Sequence, residues 1–428
     1  MRVVQSLCYA FLPTMMANTI GAVTPAKEHR LCPICEGHSS EVLFQQSFRA
    51  LDRIGLLDGY DVVVCQSCGM TYADHIPSQS AFDEYYRELS KYAYEHRTGK
   101  ESPDDEWRLR QVADALHSFI ADRESRILEI GCANGRLLSF LKNNGYSNVF
   151  GLDPSPDCAR SARSQYQVEV FTGSVFNAPV KDHSYDFLVL LGVLEHIRDV
   201  GSAAKTLRRF LAENGSVYVE VPDPTNFLAE RDAPFQEFST EHLNFFSPTA
   251  LRYLMEAAGF RTIEAKSIVR PDRTGKPTSV VSGVFQSSGN PRKAFPRDFD
   301  AEAGLRRYIG QCREMDTALR RRIDQAINGD SKIIVWGVGT HTQRLLATGA
   351  LDPAKIVAFV DSNPKYQNQQ LHGIPVLRPN DLKSHTQPIL ISSFGFQQEI
   401  AKQITDMKAP NRLILLYTNS AEIRSGRN

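Results

Sequence analysis

Two pairs of cysteines, Cys32-Pro33-Ile34-Cys35 and Cys65-Gln66-Ser67-Cys68, form C-x-x-C knuckles separated by 29 residues. Each knuckle offers two thiolates from one turn, and four thiolates close a tetrahedral shell with no position left for water. That is the donor set of a structural zinc ion; a redox dithiol needs only one pair. A second group lies in Arg126–Leu138, where a short apolar strand (Ile127, Leu128, Ile130) meets a helix through the loop Glu129-Ile130-Gly131-Cys132-Ala133-Asn134-Gly135. Gly131 and Gly135 allow backbone to approach a ligand with no Cβ in the way, and Cys132 is a small packing residue within the loop. Asp153 ends the following strand, Val149–Asp153, where a nucleotide-binding doubly wound fold places a carboxylate to accept from ribose hydroxyls. A third group is Glu241-His242, in a polar loop between two aromatic clusters. Imidazole titrates near neutral pH and a carboxylate can hold its tautomer, so His242 with Glu241 has the chemistry of a general base and its orienter; packing alone is the other reading.

The elements that must position these groups follow from apolar periodicity. A helix over Leu137–Asn143 follows the glycine loop. Tyr185–Leu191 reads as the fourth strand, ending in Gly192-Val193-Leu194-Glu195-His196, a loop placed to wall the ligand. Gly215–Pro222 is the next strand, Thr249–Ala258 a helix stopped by Gly259, and Thr262–Val269 a last strand. Ahead of the loop, Phe82–Tyr94 is helical with four tyrosines, leading to a helix over Leu109–Ile120. Tyr85 and Tyr86 either pack the cysteine module onto its neighbour or line a substrate cleft. Beyond a composition break at Ser287–Arg292 come a charged helix (Ala301–Ile327) and a second α/β unit. That unit has strands at Lys332–Trp336, Lys355–Asp361, Pro388–Ser392 and Leu413–Tyr417, and a helix at Thr342–Ala347. Its turn, Gly337-Val338-Gly339, lacks a third glycine and is a weak dinucleotide signal.

The glycine loop lacks the G-x-G-x-x-G spacing of dinucleotide sites, and S-adenosylmethionine carries no pyrophosphate that would demand it. Together with Leu194-Glu195-His196 and the Gly215 strand, the pattern resembles the class I S-adenosylmethionine-dependent methyltransferases. With all segments placed, the chain is similar to the tridomain sugar C-methyltransferases. The fold class this implies is α/β: a four-cysteine zinc-binding module, a central class I methyltransferase Rossmann-like domain and a C-terminal Rossmann-like domain. The corresponding spans are a disordered leader (1–27), the zinc module with its tyrosine-rich helix (28–100), the methyltransferase domain (101–284) and the C-terminal unit (285–428). The resemblance implies zinc on Cys32, Cys35, Cys65 and Cys68. It implies cofactor contacts from Glu129, Gly131, Cys132, Gly135, Asp153 and Gly192, and catalysis by the Glu241-His242 pair. It also implies a nucleotide-linked keto-sugar as acceptor, with Gly337 and Gly339 near its pyrophosphate and Tyr85 and Tyr86 on the substrate side. Asp361-Ser362-Asn363-Pro364 matches that family's Asp-x-Asn-Pro.

Two departures bear on the acceptor. The family's tyrosine two residues before the Glu is Ser239 here, and the C-terminal glycine turn continues as Thr340-His341-Thr342-Gln343-Arg344 without the usual Ala and Lys-Gly. The same architecture can serve O- or N-methylation of another small metabolite. Composition constrains the partner further. Forty-nine basic and forty-nine acidic side chains give a formal net charge of zero in 428 residues, which disfavours a zinc-finger RNA methyltransferase, so no nucleic acid is expected. A non-catalytic cofactor-binding scaffold fits poorly with an intact loop and acid. No run is apolar over the length of a membrane span. The start, Met1–Leu12, has an apolar core too short and interrupted for a signal peptide and reads as a disordered leader or as an upstream start preceding Met15 or Met16; an enzyme that uses a cytosolic cofactor is expected in the cytoplasm. The oligomeric state is not legible.

Overall fold

The computed structural model, which describes residues 26–51, 56–89, 102–229, 232–271, 273, 277–327 and 332–417, gathers the apolar runs of the sequence into three sheets. The first is antiparallel, with β1 (Ser40–Ser47), β2 (Gly59–Cys65) and β3 (Thr71–Asp74) completed by β9 (Asn244–Phe245) from far along the chain. Val62, Val64 and Ala73 pack with Phe82, Phe238 and Phe245 in its core. Helix α1 (Gln79–Leu89) follows this sheet and begins three residues before the expected Phe82; Tyr92 and Tyr94 lie outside the described residues, as do most of the expected leader and the last eleven residues.

The second sheet has the order β10-β11-β8-β7-β4-β5-β6, built from β4 (Ile127–Ile130), β5 (Val149–Asp153), β6 (Glu169–Thr172), β7 (Tyr185–Leu191) and β8 (Leu211–Pro222) in parallel, then β11 (Pro277–Ser287) and β10 (Phe260–Pro271). β11 runs antiparallel to both β8 and β10. Its run Thr278-Ser279-Val280-Val281-Ser282-Gly283 is too polar and glycine-interrupted to announce a buried strand, yet Ser279 and Ser282 are buried by hydrogen bonds to Asp223 and Tyr218. The sheet therefore reaches Ser287, at the composition break, rather than stopping at 284. Because β4 pairs with β5 on one side and β7 on the other, the order reverses there, and the carboxyl ends of β4 and β7 open a crevice where such folds bind ligands.

Between the first two sheets, helix α2 spans Pro103–Leu116, six residues earlier than the expected start at Leu109. Ser102 Oγ accepts from the Asp105 amide at 3.1 Å, and Pro103 and three acids occupy the first turn. Cap, proline and dipole-matched charge start the helix before its apolar stripe begins. Helices α3 (Arg136–Asn143), α4 (Pro156–Tyr166), α5 (Val200–Phe210) and α6 (Pro248–Ala257) cover the parallel sheet.

The third sheet has the order β14-β15-β13-β12-β16-β17, with β12 (Ile333–Trp336) central, β13 (Ile356–Val360), β16 (Ile389–Ile391) and β17 (Leu413–Leu415) parallel to it, and a short β14 (Gln370–Leu371) and β15 (Ile374–Leu377) at one edge. Helix α7 (Asp300–Ala326) ties this unit to the others: Leu305, Tyr308 and Ile309 pack in the core of the first sheet, whereas Leu319 and Ile323 pack in that of the third. Helices α8 (Thr340–Ala347) and α9 (Gln397–Asp406) complete it. Among the described residues no helix is long and apolar enough to cross a membrane.

Where α7 crosses the turn after β8, a Cβ on Gly304 would stand 2.4 Å from the Pro224 carbonyl oxygen and 2.6 Å from Thr225 Cα. Alanine in a free helix gains about 1 kcal/mol over glycine, but backbone cannot yield as a flexible side chain does, and overpacking costs about 1–3 kcal/mol. Gly304→Ala is therefore expected to destabilise by about 1–2 kcal/mol, read as a lower denaturation midpoint; a raised midpoint would show that α7 and this turn are not in contact.

Candidate active site

The glycine loop takes its shape from both neighbours. Gly131 has φ +72°, and a Cβ there would stand 2.6 Å from Val193 Cγ2, so this turn and the loop after β7 meet with no room for a side chain. Asp153 fastens the loop at the end of β5: one carboxylate oxygen accepts from the Ala133 amide at 2.8 Å and the other from Ser155 at 2.9 Å. Burial pushes its carboxyl up to about 6 against those two donors. Glu129, buried behind the loop, is held well above the ordinary carboxyl range by burial, with Arg108 opposing and Asp153 adding to the rise. Its Oε2 is buried with no hydrogen-bond partner among the described residues. A buried acid of this kind beside a second one is complementary to a ligand bringing positive charge and hydroxyl donors, which fits the ammonium, sulfonium and ribose of S-adenosylmethionine.

Gly131, Asp153, Gly192 and the loop Ser174–Phe176 after β6 are among the walls of the crevice itself. Gly135, at φ +78°, starts α3, and Cys132 is buried; neither is among the lining residues. The opposite wall comes from α1, through Gln79, Asp83 and Tyr86, which the sequence did not single out except for the tyrosine. Gln79 fixes this wall by donating to Asp83 at 2.9 Å and accepting from the Asp199 amide at 2.9 Å.

A second cleft lies where the three sheets meet, and Tyr85, Ser239, His242, Gly339, Thr340 and Lys365 are among its lining residues. Tyr85 and Tyr86 thus serve different clefts, as successive residues on a helix must, since they diverge by about 100°. Gly337, at φ +105°, is not among the lining residues; a Cβ there would stand 3.1 Å from the Ser392 carbonyl oxygen. Of the expected pair of glycines only Gly339 faces the second cleft.

Glu241 lines both clefts. Its carboxylate accepts from the Tyr85 hydroxyl at 3.2 Å, and its backbone carbonyl accepts from His196 Nδ1 at 2.8 Å. A carbonyl only accepts, so Nδ1 carries a proton, while His196 Nε2 stands 3.8 Å from the buried Glu195 carboxylate. His242 lies on the other side, its ring 5.2 Å from that of His196. The sequence reading made Glu241 the orienter of His242. In the structure the carboxylate set against His242 Nδ1 is that of Glu237, 3.8 Å away, while Glu241 turns to Tyr85. Ser239 shapes the turn, its hydroxyl accepting from the Glu241 amide at 3.3 Å and the His242 amide at 3.2 Å. Glu237 was missed because its partner is fixed by this turn and not by helical or strand spacing.

The four knuckle cysteines converge away from either cleft, with Cys32 and Cys68 Sγ 3.4 Å apart and Cys35 and Cys65 Sγ 3.5 Å apart. All four sulfurs lie within 4.8 Å of one another. A tetrahedral site with metal–sulfur bonds of about 2.3 Å has sulfur–sulfur edges of about 3.8 Å, so the donor set fits zinc.

Two outcomes follow. Asp153→Ala should weaken S-adenosylmethionine or S-adenosylhomocysteine binding by about 1–3 kcal/mol in calorimetry, because the ribose partner and the loop anchor are lost together. In the wild type, protonation of Asp153 as pH falls through about 6 should weaken the cofactor while strengthening the ligand-free fold, since a buried carboxyl raised in the folded state binds its proton more tightly there than in the unfolded chain. Affinity indifferent to both changes would remove Asp153 from the site. For the cysteines, elemental analysis should find one zinc per chain, and Cys65→Ser should lose it and lower the midpoint of the first sheet; a metal-free, fully folded protein with four free thiols would exclude the site.

With this geometry in hand, residues 105–265 match the family model described as a methyltransferase domain, and residues 329–415 match one described as C2185-like, N-terminal. The chain is 30% identical over 135 residues to a probable S-adenosylmethionine-dependent methyltransferase of Mycolicibacterium smegmatis, covering 31% of this chain and 51% of that protein. It is 25% identical over 175 residues to the tRNA U34 carboxymethyltransferase of Aliarcobacter butzleri, covering 38% and 55%. The chain thus spans about half the length of these curated relatives. Among solved structures, an S-adenosylmethionine-dependent methyltransferase of Thermotoga maritima is 25% identical with a TM-score of 0.35, covering 48% of this chain and 98% of that one. The matched span carries the glycine loop, the strand-end acid and the order-reversing parallel sheet, and residues 105–265 are a class I S-adenosylmethionine-dependent methyltransferase domain.

Proposed function

We propose that the chain transfers the methyl group of S-adenosylmethionine to a small-molecule acceptor held in the second cleft, and that the acceptor is a nucleotide-linked keto-sugar methylated on carbon. The observation that carries this reading is Glu241, the wall shared by the two clefts, flanked by His196 on the cofactor side and His242 on the acceptor side. The cofactor supplies an activated methyl on a sulfonium, so the protein must align an acceptor and free a nucleophile. His242, set against Glu237, is the base that takes the acceptor proton, and His196 holds the Glu241 backbone in place. Gly339 and Thr340, where α8 begins, present first-turn N–H groups to the cleft and suit a diphosphate. In this reading zinc on the four cysteines is structural.

The tRNA in the name of the Aliarcobacter butzleri relative is the competing acceptor class. The cleft lining includes Asp232, Glu237 and Glu241 against Lys365, and the whole chain has no basic excess, which is unlike a phosphate-tracking surface. Turnover of tRNA with no turnover of any nucleotide-linked sugar would reverse this choice.

His242→Gln should leave cofactor affinity and the denaturation midpoint near wild type and slow S-adenosylhomocysteine formation by roughly 10²–10⁴ on an accepted sugar. Full turnover per folded molecule would limit His242 to packing and move the base to His196.

A further inference from the structure

Lys365 is the only Lys or Arg among the described residues that line the second cleft. It is 9% exposed, and the chain fixes its backbone in three steps. Asp361 accepts from the Val338 amide at 3.0 Å, which ties the turn after β13 to the turn after β12. The other Asp361 oxygen accepts from the Asn363 amide at 2.8 Å, and Asn363 Oδ1 accepts from the Lys365 amide at 3.0 Å. Pro364 stiffens the same turn. The side chain then leaves the third sheet and reaches the other two: Nζ stands 5.7 Å from the centre of the Tyr85 ring, and the Tyr85 hydroxyl donates to Glu241. Burial pushes the Lys365 ammonium down to about 8, opposed by the charge of Glu241. Lys365 is thus a buried cation in the second cleft beside Glu241, the residue that also lines the crevice.

We propose that Lys365 holds the acceptor oxygen that becomes negative during transfer. The proposal rests on the acceptor occupying this cleft, as read above. The proton α to the acceptor carbonyl goes to His242, the C–H electron pair forms the enolate, and the charge collects on the carbonyl oxygen, where the Lys365 ammonium donates to it. As the new carbon–carbon bond forms, the carbonyl is restored and the sulfur–methyl bond breaks with its electron pair on sulfur, so charge and atoms balance. Glu241 and Tyr85 face the ammonium, and Asp232, Glu237, His242 and Tyr366 share the cleft. In the resting site Glu241 keeps the charge on Lys365, and in the reacting one the oxyanion does.

An oxyanion site can be read without knowing the acceptor. Inorganic phosphate titrated into S-adenosylhomocysteine-loaded protein should bind saturably to wild type, at least tenfold more weakly to Lys365→Met, and within threefold of wild type to Lys365→Arg. Between pH 8 and 9.5, where phosphate is a dianion throughout, wild-type affinity should fall as the ammonium deprotonates, whereas Lys365→Arg should hold. This second comparison uses no charge-deleting variant and stands if Lys365→Met fails to fold. Equal phosphate affinity in wild type and Lys365→Met, no phosphate binding to wild type, or a flat wild-type pH profile would each overturn the proposal. In parallel, S-adenosylhomocysteine release on nucleotide-linked keto-sugars should fall above pH 8 in wild type and not in Lys365→Arg. Phosphate results as expected with no sugar turned over would discard the acceptor class and keep Lys365; sugars turned over at the wild-type rate by Lys365→Met would keep the acceptor class and discard Lys365.

Discussion

The site depends on one buried hydrogen-bonded node, the Arg30 guanidinium and the Asn244 carboxamide. Arg30, beside the first knuckle and 4% exposed, donates to the Ala73 carbonyl at 2.8 Å, the Leu243 carbonyl at 3.3 Å, Asn244 Oδ1 at 3.0 Å and the Arg198 carbonyl. Asn244 in turn donates to the carbonyls of Leu194 at 2.9 Å and Ile197 at 2.8 Å. The node therefore fixes, in one place, the end of β3, the turn that carries His196 and the strand that follows His242. Burial pulls the Arg30 guanidinium down only to about 10, so it stays charged at any physiological pH. An uncompensated charge at this depth would be costly, and each carbonyl it satisfies removes part of that cost.

From this node the division of labour among the sheets follows. The parallel sheet supplies the crevice that its strand order makes unavoidable, but that crevice has one wall only. The first sheet brings α1 as the other wall, and β9 pins the Glu241-His242 loop against it, with the Ala73 amide donating to Leu243 at 2.8 Å and the Leu243 amide to Glu195 at 2.7 Å. The knuckles matter to the chemistry through this route, although none of their cysteines lines either cleft. The third sheet adds the far side of the second cleft and is held at the correct distance by α7, which is packed in both cores. Three sheets are used because each cleft needs walls from two of them.

What was legible in the sequence was what is local. The knuckles, the glycine loop and the acid at the end of β5 are read from spacings of a few residues, because one turn or one strand end fixes their geometry. Four strands of the parallel sheet were legible too, being largely buried on both faces, whereas the short edge strand β6, half-exposed, was not. What failed was of two kinds. The start of α2 was set by its cap and not its apolar stripe, and β11 hid its burial behind serines whose partners lie on other elements. Glu237, Gln79, Asp83 and Lys365 were illegible for a stronger reason: their roles come from which elements the tertiary fold sets side by side, and no spacing along the chain encodes that.

Ser239 shows how a local departure can be absorbed. The Ser239 hydroxyl turns inward to two amides of its own loop, while the Tyr60 hydroxyl donates to the Ser239 carbonyl at 2.9 Å. The loop gains an anchor. Polar groups at the meeting point then come from other elements: Tyr85 from α1, Glu237 from the same loop and Lys365 from the third sheet. The Glu241-His242 loop is held by the Ser239 hydroxyl, which accepts from both of its amides, and by the pairing of β9 with β3, whereas the groups around the second cleft come from separate elements. The lining of the second cleft thus resides in side chains that reach across sheet boundaries, whereas the glycine loop and Asp153 are defined by a single sheet.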